Sequence, residues 1–335
     1  MPPTNRFLIG IALQAGKGQP AAAPQYRIKC TGSPSLSPNI ERSKLEETSG
    51  NRDGGERETN RISVGGDFAC YLRSLTAPLL FYGALGAKAA TPPVAPATDT
   101  THLLTAADDQ PYFTIWRFWG GVLAERFEDC KFTLAFSGSA GQSAQVTASV
   151  MGLNFADVTD TIAFDPYTTA SNTGAGVLDS SPTIRIPGVV YNLDAQENAN
   201  ISEFSMNINA AQNTQQTTKI TDSIMEPGLR EIEINFTETA RLGTHRKLVY
   251  GGEAGRTPTQ TITREPFDAT FLDAQNVERL KLTVPEFAYL TGELPINANG
   301  EIGNMQVTGA ADPPATGSIV SAEIKNSVTA YNPAA

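Results

Sequence analysis

The sequence is poor in histidine, cysteine, tryptophan and positive charge, and it has no long apolar run. Only His102 and His245 are present, which leaves little for a histidine-rich metal site or a histidine-based catalytic triad. Cys30, Cys70 and Cys130 are odd in number, far apart and without a CxxC spacing. That argues against a disulfide framework and fits a reducing compartment. Lys and Arg total 25 against 35 Asp and Glu, a net charge of −10. Proteins that grip phosphates need a basic footprint, because their affinity comes from cations replacing counterions, so the net field here repels DNA. No window approaches the roughly 18 uninterrupted apolar residues of a membrane-spanning helix. Charged residues make up 18% of the chain, below the roughly 25% usual for soluble domains.

What remains is a chain of 335 residues, long enough for one large domain or two ordinary ones. Glycine (29) and proline (22) are plentiful, so turns are frequent. The apolar run Phe7–Leu13 follows Arg6 and precedes the small residues Ala21–Ala23, like the core of a signal peptide. However, it is as short as such a core can be, and Gly16-Lys17-Gly18 interrupts it well before the alanines. Two short strands, Phe7–Leu13 and Gln25–Cys30, are the better expectation. Gly10 and Gly16-Lys17 do not make a phosphate loop: five residues separate the glycines, and Gly18 stands where Ser or Thr is needed.

From Asn39 to Arg61 the composition changes abruptly. Six acids (Glu41, Glu46, Glu47, Asp53, Glu56, Glu58) alternate with five bases (Arg42, Lys44, Arg52, Arg57, Arg61), with almost no apolar residue beyond Ile40 and Leu45. Such a segment cannot bury a face and reads as a long exposed loop. Loops of this length in compact domains are functional or disordered, and mixed charge suits a docking arm that pairs with a matching surface.

The body of the chain reads as β. Ile62, Val64, Phe68, Cys70 and Leu72 alternate with small or polar residues, and Gly65-Gly66 suggests a bulge. Thr76-Ala77-Pro78, the stretch Leu79–Leu85 and Gly86 carry the start and stop signals of one short helix. Ala89–Asp99 reads as a loop. Tyr112–Trp119 is an aromatic strand. Lys131–Phe136 and Gln145–Val150 alternate cleanly and predict a hairpin, with one apolar face and one polar, mostly uncharged face. Further strands are expected at Ile201–Ile208, Arg230–Thr239, Glu278–Val284 and Glu301–Thr308, with 153–199 and 251–268 as loop-rich insertions. Gly309–Gly317 reads as a linker, and Ile319–Val328 as a last strand. About ten strands and one helix covering an end or edge predict an all-β sandwich or barrel.

No constellation of residues points to chemistry. Ser137-Gly138-Ser139-Ala140-Gly141 has serine where a nucleophile elbow needs its first glycine, and it falls at a hairpin turn. Asp108-Asp109 and Glu46-Glu47 are paired acids on loops, and Asp53-Gly54 lacks the spaced oxygens of a calcium loop. No catalytic residue, metal ligand or cofactor is expected.

The order of features does carry a resemblance. "IGIALQAGKGQPAAAPQYRI" is followed by the charged "IERSKLEETSGNRDGGERETN", then "ISVGGDFACYLRS" and the helix "APLLFYGALG". Then come "HLLTAADDQPYFTIWRFWGG" and "RFEDCKFTLAFSGSAGQSAQVTASVMG", with weaker likeness in "GLREIEINFTETA" and "ERLKLTVPEFAY". Over roughly residues 5–310 the chain resembles the major tail tube proteins of long-tailed bacteriophages.

The resemblance implies a β-sandwich subunit with one flanking helix, whose strands complete a ring-shaped inner barrel on oligomerisation. It implies hexameric rings stacked into a hollow tube through which DNA passes unbound. The tape measure protein and tail terminator or tip proteins would be partners, and assembly would take place in the host cytoplasm. Residues 1–309 would form the tube domain and 310–335 an extension. The segment Asn39–Arg61 matches, by position and character, a loop that reaches the next ring. A wall that DNA must pass should be acidic or neutral, and six copies of this chain would sum to roughly −60. Glu203, Ser205, Asn207, Glu231 and Glu233, on polar strand faces, are the candidates for lining the lumen.

Two other readings make different expectations. A tail terminator or the tube of a contractile injection system would be another ring, the latter with an outer surface mated to a sheath. A carbohydrate-binding sandwich would need an aromatic platform, but Trp116 and Trp119 are three residues apart and point to opposite faces of a strand.

Overall fold

The hairpin foreseen from the alternation of apolar and polar residues is the centre of the molecule. A computed structural model describes residues 7–45, 56–95, 97–119, 123–157, 176–193, 196–198, 201–217, 220, 222–239, 262, 264–293 and 304–334. The hairpin consists of β8 (Leu123–Ser139) and β9 (Gln145–Gly152), paired from Lys131↔Met151 to Ser137↔Gln145. On its far side β9 pairs with β4 (Arg57–Tyr71), which pairs with β3 (Ser37–Lys44). On the other side β8 pairs with β14 (Ile201–Gln216), then β15 (Asp222–Thr239), β18 (Asn304–Ala311) and β17 (Glu278–Glu293). These strands form one antiparallel layer.

A second layer faces it. It runs β5 (Gly86–Thr91), β6 (Thr100–Ala106), β19 (Ser321–Asn326), the first half of β17, β16 (Arg264–Leu272), β12 (Arg185–Leu193) and β13 (Gln196–Asn198). β17 therefore belongs to both layers. Its register slips between Val284, opposite Phe267, and Phe287, opposite Glu265. The Pro285-Glu286 step in between is where the strand turns the corner, the role bulges play in sandwiches.

A smaller sheet continues β8 in the other direction. It contains β10 (Asn154–Asp157), the first half of β8, β7 (Phe113–Trp119), β1 (Phe7–Leu13), β2 (Tyr26–Lys29) and β11 (Val177–Leu178). β8 passes between sheets through a bulge at Glu128-Asp129, where Asp129 takes φ 53. Aspartate tolerates that left-handed conformation better than most residues. Its carboxylate is anchored there by the Gly18 N–H at 2.7 Å.

The core follows from alternation. Phe132, Leu134, Phe136, Val146, Ala148, Phe204, Met206, Ile208, Ile232, Ile234 and Phe236 all point inward and are buried. Phe136 and Phe204 meet Phe271 of β16 edge-on, with centroids 5.8 and 5.0 Å apart, and Phe236 stacks on Phe267 at 5.7 Å. Such aromatic pairs add specificity to the burial of roughly 150–250 Å² per ring.

The one helix among the described residues, α1 (Ala77–Leu85), packs against strands of both layers. It is buried at every residue but Tyr82, packed against β8, β14, β5 and β6. Gly86 ends it at φ 104, as its position foretold. Thr76 stands at the cap position, but its side chain turns away. Its hydroxyl donates to Asp179 Oδ2 at 2.6 Å, and its N–H donates to the same oxygen at 3.2 Å. The buried Asp179, which follows β11, therefore brings a carboxylate to the helix N-terminus, where the dipole favours negative charge.

Several loops of the sequence reading are strands. β16 lies partly within the expected loop 251–268, and β10 to β13 within 153–199. β5 extends into Ala89–Thr91, and β18 runs through Ala311, past the start of the expected linker. β5 and β10 are short strands of small or polar residues held by their neighbours' backbone groups, whereas β16 does alternate, burying Phe267, Ala269 and Phe271, and falls partly in an expected loop all the same. Gly65-Gly66 is not a bulge, since the β4–β9 register runs unbroken through it. Gly66 takes φ 136, and a Cβ there would lie 2.6 Å from the Ser35 carbonyl oxygen, so close backbone approach is what requires glycine. Ile319–Val328 contains β19, set between β6 and β17.

Candidate functional site

Because successive side chains of a strand alternate in direction, the inward apolar set leaves an outward set on the first layer. On β9 it is Gln145, Thr147 and Ser149, and on β8 Thr133, Ala135, Ser137 and Ser139. On β14 it is Glu203, Ser205, Asn207 and Asn209, and on β15 Glu231, Glu233, Asn235 and Thr237. Gln306, Thr308 and Ala310 continue it on β18. These side chains are exposed or half-exposed.

The five candidates lie together on this face. Glu203 stands between Ser139 and Thr237, Ser205 between Ser137 and Asn235, and Asn207 between Ala135 and Glu233. Glu231 is opposite Asn209, and Asn235 Nδ2 donates to Glu233 Oε1 at 3.3 Å. Across the five strands the outward positions hold the exposed carboxylates of Glu203, Glu231 and Glu233, and the one cation in outward register, Lys131 at the end of the β8–β9 pairing, is buried. Both nearby cations are engaged within the subunit. Lys131 is buried, with Nζ 2.5 Å from Asp109 and 4.5 Å above the Tyr112 ring. Arg230 reaches the Leu85 and Ala107 carbonyls at the end of α1. The surface is thus polar, acidic and without an exposed cation to hold phosphate by charge.

The charged segment has a more definite form than a loop. Ser37–Lys44 and Arg57–Ile62 are its two legs, paired as an antiparallel ribbon that runs out beyond the sheet: β4 meets β9 only from Val64 onward. The legs carry Glu41 opposite Arg61, Ser43 opposite Glu58 and Lys44 opposite Arg57, with Arg42 opposite Thr59 after a register shift. The Glu41–Arg61 ion pair is a loose 3.9 Å, worth little on its own at an exposed site. Strand pairing wins over solvation here because the backbone groups of each leg find partners in the other. Glu56 is exposed at the start of the second leg, while Glu46, Glu47, Arg52 and Asp53 lie outside the described residues.

A feature that sequence reasoning missed supports this ribbon. Beyond the sheet, β14 and β15 continue as a second ribbon, paired to Gln216↔Asp222. It meets the first at three points: Gln216 Nε2 donates to the Asn60 carbonyl at 2.7 Å, the Ile62 N–H donates to the Ile220 carbonyl at 2.7 Å, and Arg61 Nη2 donates to Thr214 Oγ1 at 3.3 Å. The Asn/Gln/Thr-rich run from Asn209 to Thr218 has no apolar period, so nothing in it signals a strand.

Trp116 is buried and Trp119 is 48% exposed, so the two indoles form no common platform. Ser137 and Ser139 lie on β8 beside its hairpin turn, as expected. His102 is buried, its Nε2–H shared between Asn326 Oδ1 at 3.0 Å and the Val328 carbonyl at 2.9 Å. Burial and the charge of Lys88 push its ring below the ordinary histidine range, against the two hydrogen bonds that favour protonation. Among the described residues no group of three His, Cys, Asp or Glu could hold a metal, and no helix is long and apolar enough to cross a membrane.

Compared with known families, the chain matches a model described as "Phage tail tube protein" over residues 4–240. No curated protein matches it.

Proposed function

This chain belongs to the phage tail tube protein family, and on that premise we propose that six copies close into a ring, with the acidic sheet face lining a channel for DNA. The observation that carries the proposal is the composition of that face. Three carboxylates, a set of hydroxyls and amides and no exposed cation occupy one side of β9, β8, β14, β15 and β18. DNA carries one negative charge per roughly 1.7 Å of helix axis, and a wall with lysines would hold it by counterion release. A carboxylate and amide wall offers no such grip. Rings would stack through the β3–β4 ribbon and its tip, whose mixed charges suit a matching surface on the next ring. The tape measure protein inside the tube and terminator and tip proteins at its ends complete the assembly, built in the host cytoplasm before release of the virion.

The test is the double variant Glu231→Lys/Glu233→Lys in an otherwise intact phage. Tubes of normal length with slowed or incomplete DNA ejection are expected. Normal ejection kinetics would remove this face from the channel.

A further inference from the structure

We propose that Cys30 and Cys70 are the two halves of a latent disulfide that staples the root of the charged ribbon. Cys30 follows β2 directly, and Cys70 lies in β4. The two face each other as an antiparallel bridge between the smaller sheet and the first layer. The Thr31 N–H donates to the Ala69 carbonyl at 2.8 Å. This bond, from the residue after one cysteine to the residue before the other, makes them a non-hydrogen-bonded pair. In such pairs the Cα atoms lie about 4.5 Å apart and both side chains point to the same face. Disulfides span Cα separations of about 4.4–6.8 Å. Both thiols are free in this structure, and Cys130 is buried elsewhere with its thiol directed at the Glu128 carbonyl.

The position gives the bond its consequence. A link between residues 30 and 70 encloses β3 and all of β4 up to Ala69, and with them the whole segment Asn39–Arg61. It would tie the two feet of the ribbon to β2 on the neighbouring sheet. Cys70 is fully buried and Cys30 partly exposed, so a soluble oxidant reaches Cys30 first. Burial pushes the Cys30 thiol up to about 12 and Cys70 higher still, so thiolates are scarce and oxidation is slow. The pair would stay reduced in a reducing cytoplasm and close in an oxidising medium.

With a small-molecule disulfide such as oxidised glutathione the chemistry balances. The Cys30 thiolate attacks one glutathione sulfur, forming a mixed disulfide and expelling one glutathione thiolate. The Cys70 thiolate then attacks the Cys30 sulfur and expels the second. Two cysteine thiols are oxidised by two electrons, one glutathione disulfide is reduced to two thiols, and the two cysteine protons end on those thiols.

The test holds the purified full chain in a glutathione redox buffer until its thiol count is constant, then blocks the remaining thiols and maps the peptides. A Cys30–Cys70 cross-linked peptide is expected, with Cys130 still free. The unfolding equilibrium constant should fall on the order of a hundredfold or more on oxidation, as closing a loop of this size requires, and return on reduction. In Cys30→Ser, which should fold because that side chain is partly exposed, the cross-link and the redox dependence should both vanish. Three free thiols at the end of equilibration, glutathione retained on Cys30 without the cross-link, or a bond to Cys130 would each overturn the proposal. The further effect, that oxidised tubes resist dissociation better than reduced ones, rests on the stacking role of the ribbon. If the cross-link forms without that gain, the stacking role is at fault and the thiol pairing stands.

Discussion

Gly83 and Phe132 show how tightly single residues are set in this core. The Phe132 ring lies on the backbone of α1 at Gly83, and a Cβ there would be 2.2 Å from the ring's Cζ. Gly83→Ala gains about 1 kcal/mol of helix propensity but overpacks the core at a cost of about 1–3 kcal/mol. Denaturant unfolding should therefore show a net loss, and pairing the change with Phe132→Leu should recover part of it. His102 sets a second residue-level outcome. Its ring is held neutral in the fold, so the unfolded chain takes up the proton first as pH falls. The stability this site contributes is complete above the ordinary histidine value and declines as pH drops toward the lowered folded one. The stability gap between the parent and His102→Gln, read from urea midpoints, should narrow between pH 7.5 and pH 5. Neither residue's partner was legible in sequence, because Phe132 and Asn326 lie far along the chain from Gly83 and His102.

At the level of elements, most strands that alternate were legible, β16 being the exception, and those that do not were hidden. The β8–β9 hairpin, β1, β7 and the helix α1 follow from apolar period and turn residues read locally. β3 and the outer halves of β14 and β15 carry no such period. They are strands because a second leg pairs with each, and the two ribbons hold one another through Asn60, Ile62, Thr214, Gln216 and Ile220. The ribbon is therefore expected to be a positioned arm whose tip can be removed without harm to the body. Deleting Glu46–Arg57 should leave folded subunits or single rings, with a thermal transition close to that of the parent, and no long tubes in electron micrographs. Ordinary tubes from that deletion would show that stacking does not use the arm.

For the whole molecule, the distribution of charge matters more than its sum. The arm's six acids and five bases nearly cancel, leaving −1, so −9 of the net −10 is spread over the rest of the chain. Three of those acids stand on the outward face of the first layer, while Lys131 is covered and paired with Asp109 and Arg230 is turned to the carbonyls at the end of α1. The effect of Glu231→Lys/Glu233→Lys on ejection should thus be electrostatic and weaken as salt rises, since the Debye length shrinks from about 10 Å at 0.1 M to about 3 Å at 1 M. A defect independent of salt would point to damaged packing.

The sequence alone determined the class of the protein: an all-β, acidic chain with one short helix. Those properties reside in local period and composition, which survive without any fold. Tertiary structure decided which polar residues share a surface, that the charged segment stands as a braced ribbon, that Asp179 comes to the N-terminus of α1, and that Cys30 meets Cys70. Each of these joins residues distant in sequence through strand register, and register is set by the pairing of whole strands.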